Sequence, residues 1–400
     1  MTSQDMKGNA MMSDTEFTAL RTEIAEWVAG PGEEWSQRIE SSGAVPQELV
    51  DELRGHGWMS LAAPEELGGR GVGFERFLEL MEYFSRLHAS IRMLVHVNNG
   101  IWRALVDYVD DQQREQILIP TVKGDKRIAF TLTEADSGTG ADIRTTLRRE
   151  GDVYYMNGEK HLITFGMTCD YWLLTARLEG TTGHDGTVAL LVPNTGLPGV
   201  ELIDDSQTMG IAGTDHAIMH FHDVPVPVSA RVGEEGQGLA VALGGFLLPS
   251  RISVAMSCVG LAERAQQLAV EYAKQRVTFG KPLAKRQAIQ FLLARNHASI
   301  LAARSLVLEA GRGYQAGRPD AGALSSAAKM TAVDMLAEVT DNALQVFGGR
   351  GYFKRETIER VYRDARAQRF EEGTNEIQSL IVARSVLDGT ARYADDVPVA

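Results

Sequence analysis

The spacing of apolar residues changes character twice along this 400-residue chain, and those two changes limit the folds open to it. From Ser13 to about Lys126 the spacing is helical. Phe17, Leu20, Ile24, Trp27 and Val28 share one face of a helix that ends at Gly30-Pro31, and Pro46 opens a second that stops at Gly57. Phe74, Phe77, Leu78, Met81, Phe84 and Leu87 repeat the pattern. From about Arg127 to Val232 the chain breaks into short β-rich runs: IAFTLT, VYYMNGEKHLIT with a central Asn157-Gly158, YWLLTAR, TVALLVP and AIMHFHDVPVP. These predict antiparallel strands joined by hairpins. From Gly236 to about Gly389, long Ala- and Leu-rich helical segments between short Gly/Pro turns predict an antiparallel bundle. The fold class is α+β multidomain: an N-terminal α-helical domain over 1–127, a middle antiparallel β domain over 128–232 and a C-terminal helical bundle over 233–400.

At 44% hydrophobic residues the chain can bury a large core, and a net charge of −13 argues against a nucleic-acid partner. The two cysteines, Cys169 and Cys258, form no close pair, so a reducing compartment and no disulfide are expected. The opening MTSQDMKGNAMMSDTEF has no basic segment followed by an apolar core. No uninterrupted apolar run reaches the roughly 18 residues of a membrane span, so a cytoplasmic location is the expectation.

Several stretches invite a site and fail on context. GGRGVG, Gly68 to Gly73, has neither the spacing nor the preceding strand of a phosphate loop, and reads as a turn between helices. His220 and His222 fall on one face of a strand with Met219 and Phe221 on the other, and with His216 nearby they lack acids or thiols at ligand spacing. No metal is expected there. FTLTEADSGTGAD, Phe130 to Asp142, runs a strand into a loop of small hydroxyl and acidic residues suited to holding a polar ligand, or simply to turning. QRVTFGKPLAKRQAIQF places basic groups at a junction of two long helices, where they either pair with a pyrophosphate or are solvated. RFEEGTNEIQSLIVAR sets Glu371 and Glu372 on a glycine turn ahead of a helix that Thr374 or Asn375 caps. Two solvated acids at a helix N-terminus would be the plain reading.

Together the segments FTLTEADSGTGAD, YYMNGEKHLIT, DYWLLTAR, MGIAGTDHAIMHFHDVPVP, RVTFGKPLAKRQAIQF, LQVFGGRGY and RFEEGTNEIQ occur in one order across nearly the whole chain. In that order they resemble the flavin-dependent acyl-CoA dehydrogenases. The resemblance implies FAD at the contacts of a homotetramer or homodimer, a C-terminal four-helix bundle, and an acyl-CoA substrate of short or medium length. It also implies electron transfer to an external electron-transfer flavoprotein.

By position in those motifs, Phe130, Leu132 and Thr133 would line the flavin from the first strand, and Ile163 and Thr164 from the second hairpin. Arg276 and Phe279 resemble residues that reach the FAD of a neighbouring subunit, with Gln287 close by. Gln345 and Gly349 match the segment near the adenine-pyrophosphate end, and Thr374 matches a flavin contact. Glu372 takes the place of the catalytic base, with Gly373 letting main chain and carboxylate both face the thioester. Ser250 stands where a second subset of the family carries its base, so Arg251 is assigned to holding the acyl-CoA.

The chain departs from the family pattern in places. Glu371 replaces the usual Tyr, and a buried second carboxylate would raise the apparent pKa of the pair. Ala135 and Gly140 replace the usual Pro and Asp, while Thr139 keeps a hydroxyl for cofactor and substrate. Arg92 has the spacing of the carboxylate-binding arginine of glutaryl-CoA dehydrogenases, so an acyl chain with a distal acid is one reading and a structural arginine the other. The alternatives to α,β-desaturation of an acyl-CoA are reduction, a carrier-protein thioester as substrate, or a catalytically silent flavin-binding protein.

Overall fold

Ser13 opens the first helix with a reciprocal cap, its hydroxyl accepting from the Glu16 N–H while the Glu16 carboxylate accepts from the Ser13 N–H. That helix, α1, spans Asp14–Ala29 and buries Phe17, Leu20, Ile24, Trp27 and Val28. The computed structural model describes residues 12–136, 142–394 and 397–398, so Thr139 lies outside the described residues. A helix that the spacing does not announce, α2 (Pro31–Ser42), follows; it buries only Gly32, Ser36 and Ile39, too sparse a stripe to read. α3 (Gln47–Gly55) and α4 (Phe74–Phe84) carry conventional apolar faces. α5 (Ala89–Leu105) is buried nearly all round, polar residues included.

The middle region forms a sheet of β1 (Ile128–Thr131), β2 (Thr146–Glu150), β3 (Val153–Thr164), β4 (Tyr171–Leu178), β5 (Thr187–Pro193), β6 (Val200–Asp204), β7 (His216–Pro227) and β8 (Arg231–Val232). The order is β6-β7-β3-β2-β4-β5-β8, with β1 also on β4. The sheet is mixed and not wholly antiparallel as the hairpin pattern suggests, because β1 and β2 both pair parallel with β4. They run along one edge of β4 at successive positions, β1 opposite Tyr171 to Leu174 and β2 opposite Arg177 and Leu178, with the Leu132 to Thr145 excursion between them. Nor is Asn157-Gly158 a turn. β3 continues through it, and the ladder to β7 shifts register there. Gly158 has φ +138, and a Cβ on it would stand 2.6 Å from the Thr145 Cα, so only glycine fits this bulge. His222 is exposed and His220 half-buried, while Met219 and Phe221 are buried as the alternation requires.

The bundle consists of α6 (Leu248–Gln275), α7 (Gln287–Gln315), α8 (Ala321–Phe347) and α10 (Asn375–Leu387), with α9 (Thr357–Ala367) packed alongside. Residues 238–275 are long and apolar enough to cross a membrane, but 67% of their most apolar 18-residue window is buried inside the fold, as for a core helix. Ile91, Leu94 and Val95 of α5 share one apolar core with Ile252, Ala255, Met256 and Val259 of α6. That shared core fixes the first domain against the bundle. Cys169 and Cys258 are free and buried, and burial pushes both thiols up to about 12.

Candidate active site

Glu372 sits on a backbone that ordinary residues avoid. Its φ is +55 and that of Gly373 is +95, so the chain makes two successive left-handed steps before α10. Side chains from three helices hold this turn by its carbonyls. Arg251 Nε of α6 donates to Glu372 O at 3.2 Å. Gln378 Nε2 of α10 donates to Glu372 O and Gly373 O at 3.0 and 3.1 Å, and Lys329 Nζ of α8 donates to Gly373 O. Thr374 occupies the N-cap position of α10, although its hydroxyl makes no capping bond.

The adjacent carboxylates are largely withdrawn from solvent, with 15% of the Glu371 side chain exposed, so the plain reading of two solvated acids does not hold. Their environments differ. Glu371 receives two bonds of 2.8 Å from Arg92 Nη1 and Nη2, with Arg92 only 1% exposed on α5. Burial pushes the Glu371 carboxyl up, but the Arg92 charge and its hydrogen bonds, with Lys329 further off, together outweigh it and hold the group below its usual value. Glu372 has no such cation in contact. Burial, with the Glu371 charge beside it, raises Glu372 to about 7 against the hydrogen bond from Ser250. The pair therefore separates into one fixed anion and one group that titrates near neutrality, where the sequence alone suggested a joint upward shift.

Ser250 Oγ donates to Glu372 Oε1 at 2.6 Å, and His96 Nε2 lies 2.8 Å from the same Oγ. Both residues are buried. The backbone N–H of Glu372 has no protein acceptor among the described residues, while the Glu372 and Gly373 carbonyls are both engaged. A basic carboxylate and an unused donor on the same residue can take a proton from a carbon acid while stabilising the oxygen that gains charge.

The end of β1 is linked to the start of α6 by an aromatic contact. Phe130 packs against Phe246 with ring centroids 4.7 Å apart, and Phe246 lies four residues ahead of Ser250 on the π-helical turn that leads into α6. Leu132 and Thr133 are tied to β3, Lys160 Nζ donating to Leu132 O at 3.0 Å and the His161 N–H to Thr133 O at 2.9 Å. Ile163 and Thr164 close the same strand. Phe130, Leu132, Thr133, Ile163 and Thr164 are thus brought together where β1 ends beside the last residues of β3, with Phe130 joined to the start of α6 through Phe246. Beneath that edge Glu134 accepts from the Arg144 and Thr145 N–H groups and pairs with Lys160 at 2.9 Å, a structural ion pair.

Arg276, Phe279, Gln287, Gln345 and Gly349 gather elsewhere and are exposed. Between α6 and α7 the strands β9 (Val277–Thr278) and β10 (Lys281–Pro282) form a hairpin whose turn, Phe279-Gly280, has φ +47 and +77. Phe279 is 97% exposed at that tip, with Arg286 5.5 Å from its ring centre. Tyr272 stacks on Phe347 at 4.2 Å, which brings the end of α8, with Gln345 and Gly349, beside the start of the hairpin.

Known proteins combine the same elements. The N-terminal, middle and C-terminal domain models of acyl-CoA dehydrogenases match residues 14–125, 129–224 and 236–387. The chain belongs to the acyl-CoA dehydrogenase family. It is 36% identical over 358 residues to the short-chain specific acyl-CoA dehydrogenase of Megasphaera elsdenii, covering 86% of this chain and 91% of that one. It is 32% identical over 351 residues to the Caffeyl-CoA reductase-Etf complex subunit CarC of Acetobacterium woodii, covering 87% and 92%. The structure of butyryl-CoA dehydrogenase from Megasphaera elsdenii superposes with a TM-score of 0.86 at 31% identity, covering 95% and 100%.

In an acyl-CoA dehydrogenase, flavin-dependent oxidation or reduction needs a group that takes or returns a proton, and Glu372, raised to about 7, fits that requirement. An exposed aromatic held at positive φ on a hairpin tip, with arginine and glutamine around it, leaves its ring free to stack on a planar ligand. Arg92 is not the free carboxylate receptor that one reading made it, because Glu371 already occupies both of its terminal nitrogens. The sequence reading also missed Lys329, Gln378 and His96. Lys329 reaches the turn, and His96 reaches Ser250, only through the packing of helices, whereas Gln378 lies within the first turns of the helix that follows Glu372 and was legible in the motif.

Proposed function

We propose that this protein is an FAD-dependent acyl-CoA dehydrogenase that desaturates a short or medium, monoacyl CoA thioester at its α,β carbons. The observation that carries this reading is a largely buried carboxyl, Glu372, raised to about 7 and held by Ser250 on a turn whose carbonyls Arg251, Lys329 and Gln378 clamp. Glu372 takes the α-proton, its backbone N–H supports the thioester oxygen, and Arg251 orders both by holding the Glu372 carbonyl. The flavin, when bound, supplies the acceptor for the β-hydride. Phe130, Leu132, Thr133, Ile163, Thr164 and Thr374 would hold its ring end. Arg276, Phe279, Gln287, Gln345 and Gly349 would hold the far end from another subunit of a homotetramer or homodimer. Thr139 and Gly373 would complete the substrate contacts.

The internal Arg92–Glu371 pair supports a substrate without a distal acid, because the arginine that would receive one is already paired. An electron-transfer flavoprotein is the proposed partner and the cytoplasm the proposed location; the Etf-coupled relative supports the former. That relative also motivates a second reading, physiological reduction of an enoyl thioester by the same residues run in reverse.

Anaerobic titration of the yellow protein with a panel of saturated and unsaturated acyl-CoAs tests both readings. Bleaching by one saturated thioester, lost in Glu372→Gln, supports desaturation. No bleaching by any CoA thioester, with flavin bound, counts against it and favours a carrier-protein substrate or a silent flavoprotein.

A further inference from the structure

Ser250 has one hydroxyl proton, and it is spent on Glu372 Oε1 at 2.6 Å. Its oxygen can then only accept from His96, so the 2.8 Å contact to Nε2 is an N–H donated by the imidazole. The other ring nitrogen is consistent with that assignment. Nδ1 is buried and has no protein partner among the described residues, so a proton placed there would be an unpaired buried donor. Burial, helped by the nearby Arg92 charge, pushes His96 down to about 3, which keeps the ring neutral.

We propose that His96 is a positioning residue for the Glu372 carboxylate, acting through Ser250 as a one-way chain of donors from α5 to α6 to the base. The inference rests on Glu372 being the base. A carboxylate gains more from a donated hydrogen bond than a carboxylic acid does, so this chain favours the ionised form that can take a proton. It opposes the burial and the Glu371 charge, both of which favour the acid. The other charged groups facing Glu372 are Arg251 from α6 and Lys329 from α8, with Arg92 behind Glu371 on α5, and none of them forms an ion pair with the Glu372 carboxylate. Position 250 thus keeps a role in base chemistry without being a base: it passes the His96 donor on to Glu372.

The test is an infrared titration of the holoenzyme that follows the carboxylic C=O band deleted by Glu372→Gln, a readout that needs no turnover. His96→Leu and Ser250→Ala are each expected to raise the midpoint by about one pH unit, a tenfold loss of the ionised form below it. His96→Gln, whose amide N–H can replace the Nε2 donor, is expected to return the midpoint toward wild type. The pH profile of flavin bleaching should move in parallel. If His96→Leu does not fold, Ser250→Ala and His96→Gln carry the test. An unchanged midpoint in Ser250→Ala, a shift in Ser250→Ala but not in His96→Leu, or a downward shift in either would overturn the proposal. Absence of bleaching by every thioester, with the midpoint shifts present, would instead overturn the reaction and leave the donor chain standing.

Discussion

Arg92 and Glu371 lie 279 residues apart in the chain and meet in two parallel hydrogen bonds of 2.8 Å, one from each terminal guanidinium nitrogen. The pair joins the first domain to the turn that carries Glu372. A buried ion pair is costly to half-remove, because the survivor is left charged and dry. Arg92→Met and Glu371→Leu singly are therefore expected to destabilise the protein by about 3–5 kcal/mol each. The double variant should recover most of that loss, as chemical denaturation of the three variants will show.

Glu372 also has a stability signature. Its carboxyl is raised from 4.5 to about 7 in the folded chain, so the folded state holds this proton more tightly than the unfolded state does. Stability is then lost as pH rises from about 4.5 through about 7, opposite to the usual behaviour of a carboxylate. Glu372→Gln, which does not titrate, is expected to be more stable than wild type by about 2–3 kcal/mol above pH 8 and equal to it below pH 4. Equal stability of the two proteins at high pH would show that the carboxyl is not raised.

The same shift sets the activity profile. The rate of flavin reduction at saturating thioester should fall about tenfold per pH unit below the midpoint, because only ionised Glu372 can accept the proton. The limb should lie near pH 7 in the free enzyme, read from kcat/KM by rapid-mixing absorbance. A limb near pH 4.5 would mean that Glu372 is solvated in solution.

Phe279 is held at φ +47 while almost wholly exposed, so removing it sacrifices little packing within one chain. Phe279→Gly should leave the apoprotein as stable as wild type or up to about 1 kcal/mol more stable. The same change should weaken flavin retention about tenfold if the ring packs on a cofactor held by another subunit. Flavin-to-protein ratio after dialysis, with sedimentation to follow assembly, separates the two effects.

Lys160 pairs with Glu134 and also holds the Leu132 carbonyl at the end of β1. Lys160→Met would leave Glu134 charged and buried, at an expected cost of about 3–5 kcal/mol. Loosening of Leu132 should then release flavin before the rest of the protein melts, visible as flavin fluorescence that rises ahead of the far-ultraviolet transition.

The sequence by itself determined the succession of helices, sheet and bundle, because periods of 3.6 and 2 are properties of neighbouring residues. It also determined the family and the turn that carries Glu372, because those motifs are contiguous. It did not determine that β1 and β2 share one edge of β4, that β3 runs straight through Asn157-Gly158, or that a sparse stripe would form α2. Strand direction, bulges and weak helices depend on what packs against them. Only the tertiary structure decided the chemistry of the site. Glu371 became a fixed anion and Glu372 a group that titrates near neutrality through partners 279 and 122 residues away, and Ser250 met His96 across 154 residues. Desolvation and charge act over a few ångströms of space, and a linear sequence does not encode which residues will share them.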